Sequence, residues 1–169
     1  LRPVMIHAQL LAPDQLEDVK RAGIILSSFP GHIFRWGDAH VRNFGMERAR
    51  RISPAASALQ AGIRFTFHQD TPVTEPDMLL SVWCAVNRVT QSGTLLGAEE
   101  RISAYEALRA VTANAAYQYF EEDRKGSIAP GKNADFVLLE DDPTACAPER
   151  IRDIRVCATI KDDRFIFGG

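Results

Sequence analysis

The chain has 169 residues, enough for one domain of ordinary size, and its 46% hydrophobic and 25% charged residues exclude a disordered or fibrous chain. Twenty Lys+Arg against 22 Asp+Glu leave a net charge of −2, without the basic excess that a nucleic-acid-coating surface needs. No apolar run approaches the roughly 18 residues of a membrane span, so neither nucleic acid nor membrane is expected as a partner.

Pro3 to His7 is a short apolar run that turns polar at its end, as a buried parallel strand does where it meets a site. The chain enters this strand almost at once, from Leu1, with no initiator Met and no apolar signal segment, and so reads as a fragment. Asp14 predicts an N-cap, with Glu17 three residues on and Gly23 closing the helix. A second buried strand follows over Ile24 to Phe29. Pro30 to Asn43, holding His32, Trp36, Asp38 and His40, is expected to be a long loop. Arg42 to Arg51 is basic and partly helical, and Ser53-Pro54 predicts a cap with proline in the first helical position, the helix ending at Gly62. Ile63 to His68 predicts a third strand.

Pro76 and Asp77 open a helix through Leu80, Trp83, Val86 and Val89 to Gly93. Ser103 with Glu106 is a capping box for a further helix towards Tyr119. From about Gly126 the pattern changes to short strands, Asp135 to Leu139, Ile154 to Ile160 and Arg164 to Phe167. Strands alternating with helices predict an α/β fold on a parallel sheet, followed by a small β region.

Candidate chemistry collects at one edge. His7, His68 and Asp70 lie at or just past the C-terminal ends of predicted strands, and His32 follows another; loops converge on that edge in parallel α/β folds. Histidine and carboxylate are the ligands of a catalytic divalent ion, which lowers the pKa of bound water to about 7. Asp70 is the best-placed carboxylate to move the proton. There is no H-x-H or H-E-x-x-H, so the ligand set is incomplete. Each histidine alone also suits a plain hydrogen-bonded structural role.

Other features point to structure. Gly126 to Asn133 matches G-x-x-x-x-G-K, but Asn133 replaces the magnesium-binding Ser or Thr, and a predicted strand follows instead of a helix. Trp83 and Tyr117 read as core, and Arg42, Arg48, Arg50 and Arg51 as a solvated helix face. Cys84, Cys146 and Cys157 form no C-x-x-C pair and read as free thiols, mostly buried, in a reducing compartment, hence a cytoplasmic location. Cys84, mid-helix with no histidine nearby, is no nucleophile.

Ile6-His7-Ala8-Gln9, Ser28 to His32 with Trp36-Gly37-Asp38, and Asp70-Thr71-Pro72-Val73 resemble the metal-dependent amidohydrolases, in the family 3 branch that includes N-substituted formamide deformylases. Gly126 to Phe136 is similar to the return of that superfamily's chain to its β-sandwich. The resemblance implies the last third of a larger enzyme that hydrolyses a C–N bond of a small amide-type substrate through metal-activated water. Residues 1–125 would supply strands six to eight of a (β/α)8 TIM-type barrel, and residues 126–169 the terminal strands of the sandwich.

By the same resemblance His7 matches a metal histidine, and Asp70 a metal-binding aspartate that is also the general acid/base. His32 and His68 fall to substrate contact. The divalent ion, zinc by resemblance, would need further ligands upstream, so this chain alone is expected to hold none tightly. Ile6 stands where relatives commonly carry Glu, and His68-Gln69 where a small residue and Ser usually precede the aspartate. A barrel piece would leave Val4, Ile6, Ile24, Leu26, Phe65 and Phe67 without partners, so self-association into a homo-oligomer is expected. The rival readings are a regulatory or binding protein on the same scaffold, of the exoenzyme-regulatory type with an incomplete metal site, and a free-standing small α/β domain.

Overall fold

The computed structural model describes residues 1–168. Three strands, β1 (Val4–His7), β2 (Ile25–Ser28) and β3 (Phe65–Phe67), form a parallel sheet in that order, with Val4 opposite Ile25 and Leu26 opposite Phe65. Helices connect them: α1 (Leu16–Arg21) between β1 and β2, then α2 (Gly31–Phe44), α3 (Met46–Ala49) and α4 (Ala55–Gln60) between β2 and β3. After β3 come α5 (Met78–Asn87), α6 (Ala104–Val111) and α7 (Ala113–Gln118). A second, antiparallel sheet of β4 (Phe136–Leu139), β5 (Val156–Lys161) and β6 (Arg164–Phe167) closes the chain. The α/β class, the parallel order and the late β region are as expected. Among the described residues, no helix is long and apolar enough to cross a membrane.

The expected loop from Pro30 to Asn43 is instead α2, the longest helix described. Its inner stripe, buried Ile33 and Gly37 with partly buried Val41, packs on Leu96, Ile52 and Ala49. Polar and aromatic residues on the other face, His32, Trp36 and His40, mask that spacing in the sequence. Gly37 permits the close approach, because a Cβ there would meet Thr90 Cγ2 at 2.6 Å. Asp38, next to it, accepts hydrogen bonds from Thr90 Oγ1 at 2.8 Å and Ser92 Oγ at 2.6 Å, which hold its carboxyl below the usual range. The Trp36-Gly37-Asp38 motif therefore includes a packing contact and a loop anchor.

Helix ends also differ from expectation. Asp14 sits inside a 3₁₀ turn, Pro13–Gln15, whose cap is Ala12, with the Gln15 side chain accepting from Ala12 N at 3.0 Å. Pro54 is itself the cap of α4, without a side-chain bond. The helix opened by Asp77 stops at Arg88, which turns left-handed at φ 55°, instead of continuing to Gly93. Ser103 caps α6 as expected, accepting from Glu106 N at 3.2 Å, but the helix breaks at Thr112 into α6 and α7. A 3₁₀ segment, Pro148–Asp153, packs on α5 and was not visible in the sequence pattern.

Trp83 is core, its indole N–H donating to Glu149 O at 3.0 Å. Tyr117 is only half-buried: the Arg2 and Arg64 guanidinium groups sit 3.6 and 3.7 Å from its ring centroid, tying the segments that lead into β1 and β3 to α7. Cys84 is buried, with its thiol pushed up to about 12 by burial, while Cys146 and Cys157 are only half-buried. The expected bare sheet is also partly covered. Leu26, Phe65 and Phe67 are buried in a cluster with Ala55, Trp83 and Ile102, leaving Ile6 exposed at 57%.

Arg88 is fully buried at 0% exposure. It donates to the carbonyls of Leu96 (2.8 Å), Ser53 (3.1 Å), Arg50 (3.2 Å) and Ile52 (2.7 Å). Burial lowers its pKa to about 10, so the group stays charged at neutral pH. Arg88→Ala removes a charged donor from four acceptors at once and is expected to cost about 3–5 kcal/mol. Urea unfolding should show a lower midpoint, and Arg88→Lys, lacking the planar fork, should recover only part of the loss.

Candidate functional site

The strand register brings the candidate residues together. His7 stands opposite Ser28, and Ser28 opposite Phe67, so the exits of all three strands lie side by side. At those exits the chain turns sharply: His7 (φ 66°), Ala8 (φ 47°) and Asp70 (φ 54°) all take the left-handed conformation. Each such non-glycine residue costs about 1–2 kcal/mol, and conformations of this kind cluster at functional sites.

Three of the four candidates form a contiguous group. His68 Nε2 lies 2.9 Å from His7 Nδ1, and His68 Nδ1 lies 3.0 Å from Ser27 Oγ. His7 Nε2 faces Asp70 Oδ2 at 3.9 Å, with both side chains nearly half exposed. His32 sits in the next layer, its ring 6.2 Å from His7 and 4.8 Å from Phe29 between centroids. Its Nδ1 is 3.2 Å from His40 Nε2. Phe29 lies at the centre, with the rings of His7, His32, Trp36 and His68 all 4.8–6.2 Å away. A concavity lined by Gly23, Ile24, Gly62 and Arg64 opens at the opposite, N-terminal edge of the strands.

Sequence reasoning missed Ser27 and Phe29. Ser27 carried one usable signal, a hydroxyl, shared with Ser28, in a buried strand. His40 appeared as a loop residue, and only the helix reveals that it stands one turn from Trp36 and two from His32.

Histidine nitrogen and carboxylate oxygen suit a divalent cation. Bonds of about 2.1 Å in a tetrahedral site hold two donors roughly 3.4 Å apart, so a shift of about half an ångström would let His7 and Asp70 grip one ion. The pair fits such an ion in chemistry and reach. Among the described residues, no group of three or more His, Cys, Asp or Glu is arranged to hold a metal.

The chain belongs to the amidohydrolase family, whose model matches residues 1–167. It is 33% identical over 161 residues to an N-substituted formamide deformylase of Arthrobacter pascens, a match covering 92% of this chain and 29% of that protein. It is 35% identical over 135 residues to the protein LONG AFTER FAR-RED 3 of Arabidopsis thaliana, covering 79% of this chain and 23% of that one. Among solved structures, an uncharacterized metal-dependent hydrolase from Pyrococcus horikoshii superposes with a TM-score of 0.74 at 28% identity, covering 86% of this chain and 30% of that one. The chain thus spans under a third of the length of these relatives.

Burial, and then the nearby His40, His7 and His68, push His32 down to about 4 from 6.5. Burial also lowers His40, and burial followed by His7 lowers His68. Above pH 6.5 His32 is neutral in both folded and unfolded chains, so it costs nothing; between 6.5 and about 4 only the unfolded chain takes up the proton, and stability is lost. Because the ring is only half-buried, the expected loss from pH 7 to pH 5 is about 1 kcal/mol. Thermal melts at the two pH values should therefore show a smaller drop for His32→Gln than for the unsubstituted protein.

Proposed function

We propose that this chain is the C-terminal part of a metal-dependent amidohydrolase that cleaves the C–N bond of a small amide-type substrate. The observation that carries the reading is the pair of His7 Nε2 and Asp70 Oδ2, 3.9 Å apart at the C-terminal edge of a parallel sheet. Sites in parallel α/β folds form at this edge. β1, β2 and β3 are then strands six, seven and eight of the barrel within residues 1–125, and the antiparallel sheet within 126–169 belongs to the sandwich. Exposed apolar side chains support a larger whole: Ile6 on β1, Val137 and Leu138 on β4, and Phe165, Ile166 and Phe167 on β6. Chain upstream of β1 would cover them in the full-length protein.

His7 and Asp70 would hold a divalent ion, zinc by family resemblance, together with upstream ligands. When bound, the ion supplies Lewis acidity that makes hydroxide available near neutral pH. Asp70 takes a proton from the attacking water, oxygen adds to the amide carbon, and the carbon–nitrogen bond breaks. Asp70 then returns the proton to the leaving nitrogen. His32, held neutral at working pH and set against Trp36, faces the substrate as a hydrogen-bonding group.

The test is Asp70→Asn in the full-length protein, which keeps shape and loses the basic oxygen. On a panel of N-substituted amides, kcat is expected to fall by about a thousandfold or more, within the reach of a lost general base, with the circular dichroism spectrum unchanged. Turnover near that of the unsubstituted protein across the panel would overturn the assignment of Asp70.

A further inference from the structure

We infer that His68 is a positioning residue for His7: it accepts the Nδ1–H of His7, which turns the unprotonated Nε2 of His7 towards Asp70, while Ser27 holds the His68 ring in place.

A neutral imidazole carries one N–H, and the nitrogen that binds a cation must be the bare one. His7 has one nitrogen on each side. Nδ1 lies 2.9 Å from His68 Nε2, and Nε2 faces Asp70. With the proton on Nδ1, the hydrogen bond to His68 is made and Nε2 presents its lone pair to the Asp70 side. His68 must then accept at Nε2, which puts its own proton on Nδ1, 3.0 Å from Ser27 Oγ. The anchor is firm: Ser27 lies on the central strand β2, buried, between Ile6 of β1 and Thr66 of β3 in register. Phe29 flanks the His7 and His68 rings, at 6.2 and 5.4 Å between centroids. Both nitrogens of His68 are engaged inside the protein, which favours positioning over the substrate contact expected from sequence. The opposite proton arrangement, Ser27 to His68 to His7, would place N–H on His7 Nε2 and close it to a cation. The direction of the chain therefore decides whether His7 is a ligand.

This inference rests on the metal-ligand reading of His7, and its test separates the two. The experiment uses the full-length protein with 15N-labelled histidine, the His7 signals being assigned by their loss in His7→Gln. In metal-free protein, nitrogen shifts are expected to show His7 as the Nδ1–H tautomer. His68→Leu should convert it to a mixture with Nε2–H and weaken zinc binding, measured by competition with a chelator, by about 10–100-fold. His68→Gln offers an amide oxygen in place of Nε2 and should restore the tautomer and most of the affinity. Ser27→Ala should produce a partial shift, and carries the test with His68→Gln if His68→Leu fails to fold. A His7 ring found as Nε2–H in the unsubstituted protein, or unmoved by His68→Leu, overturns the positioning role even if zinc binds. A tautomer that responds as expected in a protein that binds no zinc upholds the positioning role and removes the metal reading instead.

Discussion

The Arg88 guanidinium joins parts of the chain that otherwise have little reason to meet. It closes the end of α5 onto the carbonyls of Arg50, Ile52 and Ser53, and reaches back to Leu96 in the loop that follows. Ser53 in turn donates its N–H to Gln9 O at 3.1 Å, and Gln9 stands two residues beyond His7. A line of hydrogen bonds thus runs from a buried charge to the exit of β1. A charge in that position is tolerable only because every side of its planar fork meets an oxygen, which a lysine could not reproduce. Gly97 serves the same junction: a Cβ there would lie 1.8 Å from Arg50 O, so any other residue would push apart the backbone that Arg88 binds.

The site is a consequence of parallel pairing. Three strands in one direction bring three exits to one edge, and left-handed turns at His7, Ala8 and Asp70 redirect the chain there. That edge gathers His7, His68 and Asp70 from segments more than sixty residues apart. The surrounding rings of Phe29, Trp36 and His32 lower the local polarity. Partial burial accordingly lowers the pKa of His32 and His68, which disfavours their charged forms.

Two sheets of opposite character share the chain. The parallel sheet is partly covered by helices, with Leu26, Phe65, Trp83 and Ile102 in one cluster. The antiparallel sheet shows Phe165, Ile166 and Phe167 to solvent. Family membership over residues 1–167 goes with coverage of under a third of each relative described above.

Local signals carried the strands well. Runs such as Ile24 to Phe29 and Ile63 to His68 are apolar and bounded by glycine or polar turns, and backbone pairing needs little else. The candidates at strand exits were legible for the same reason, because position along a strand is a one-dimensional property. What the sequence could not determine was α2, whose buried stripe includes a glycine and whose outer stripe is histidine and tryptophan, so its period became readable only against Leu96 and Thr90. Nor could it place Asp38 as a loop anchor, Tyr117 between two arginines, or Ser27 behind His68, since each depends on groups far away in the chain. The residue types at the site are a matter of sequence; which nitrogen faces which oxygen is decided by strand register and packing, because hydrogen-bond direction exists only between groups already held in place.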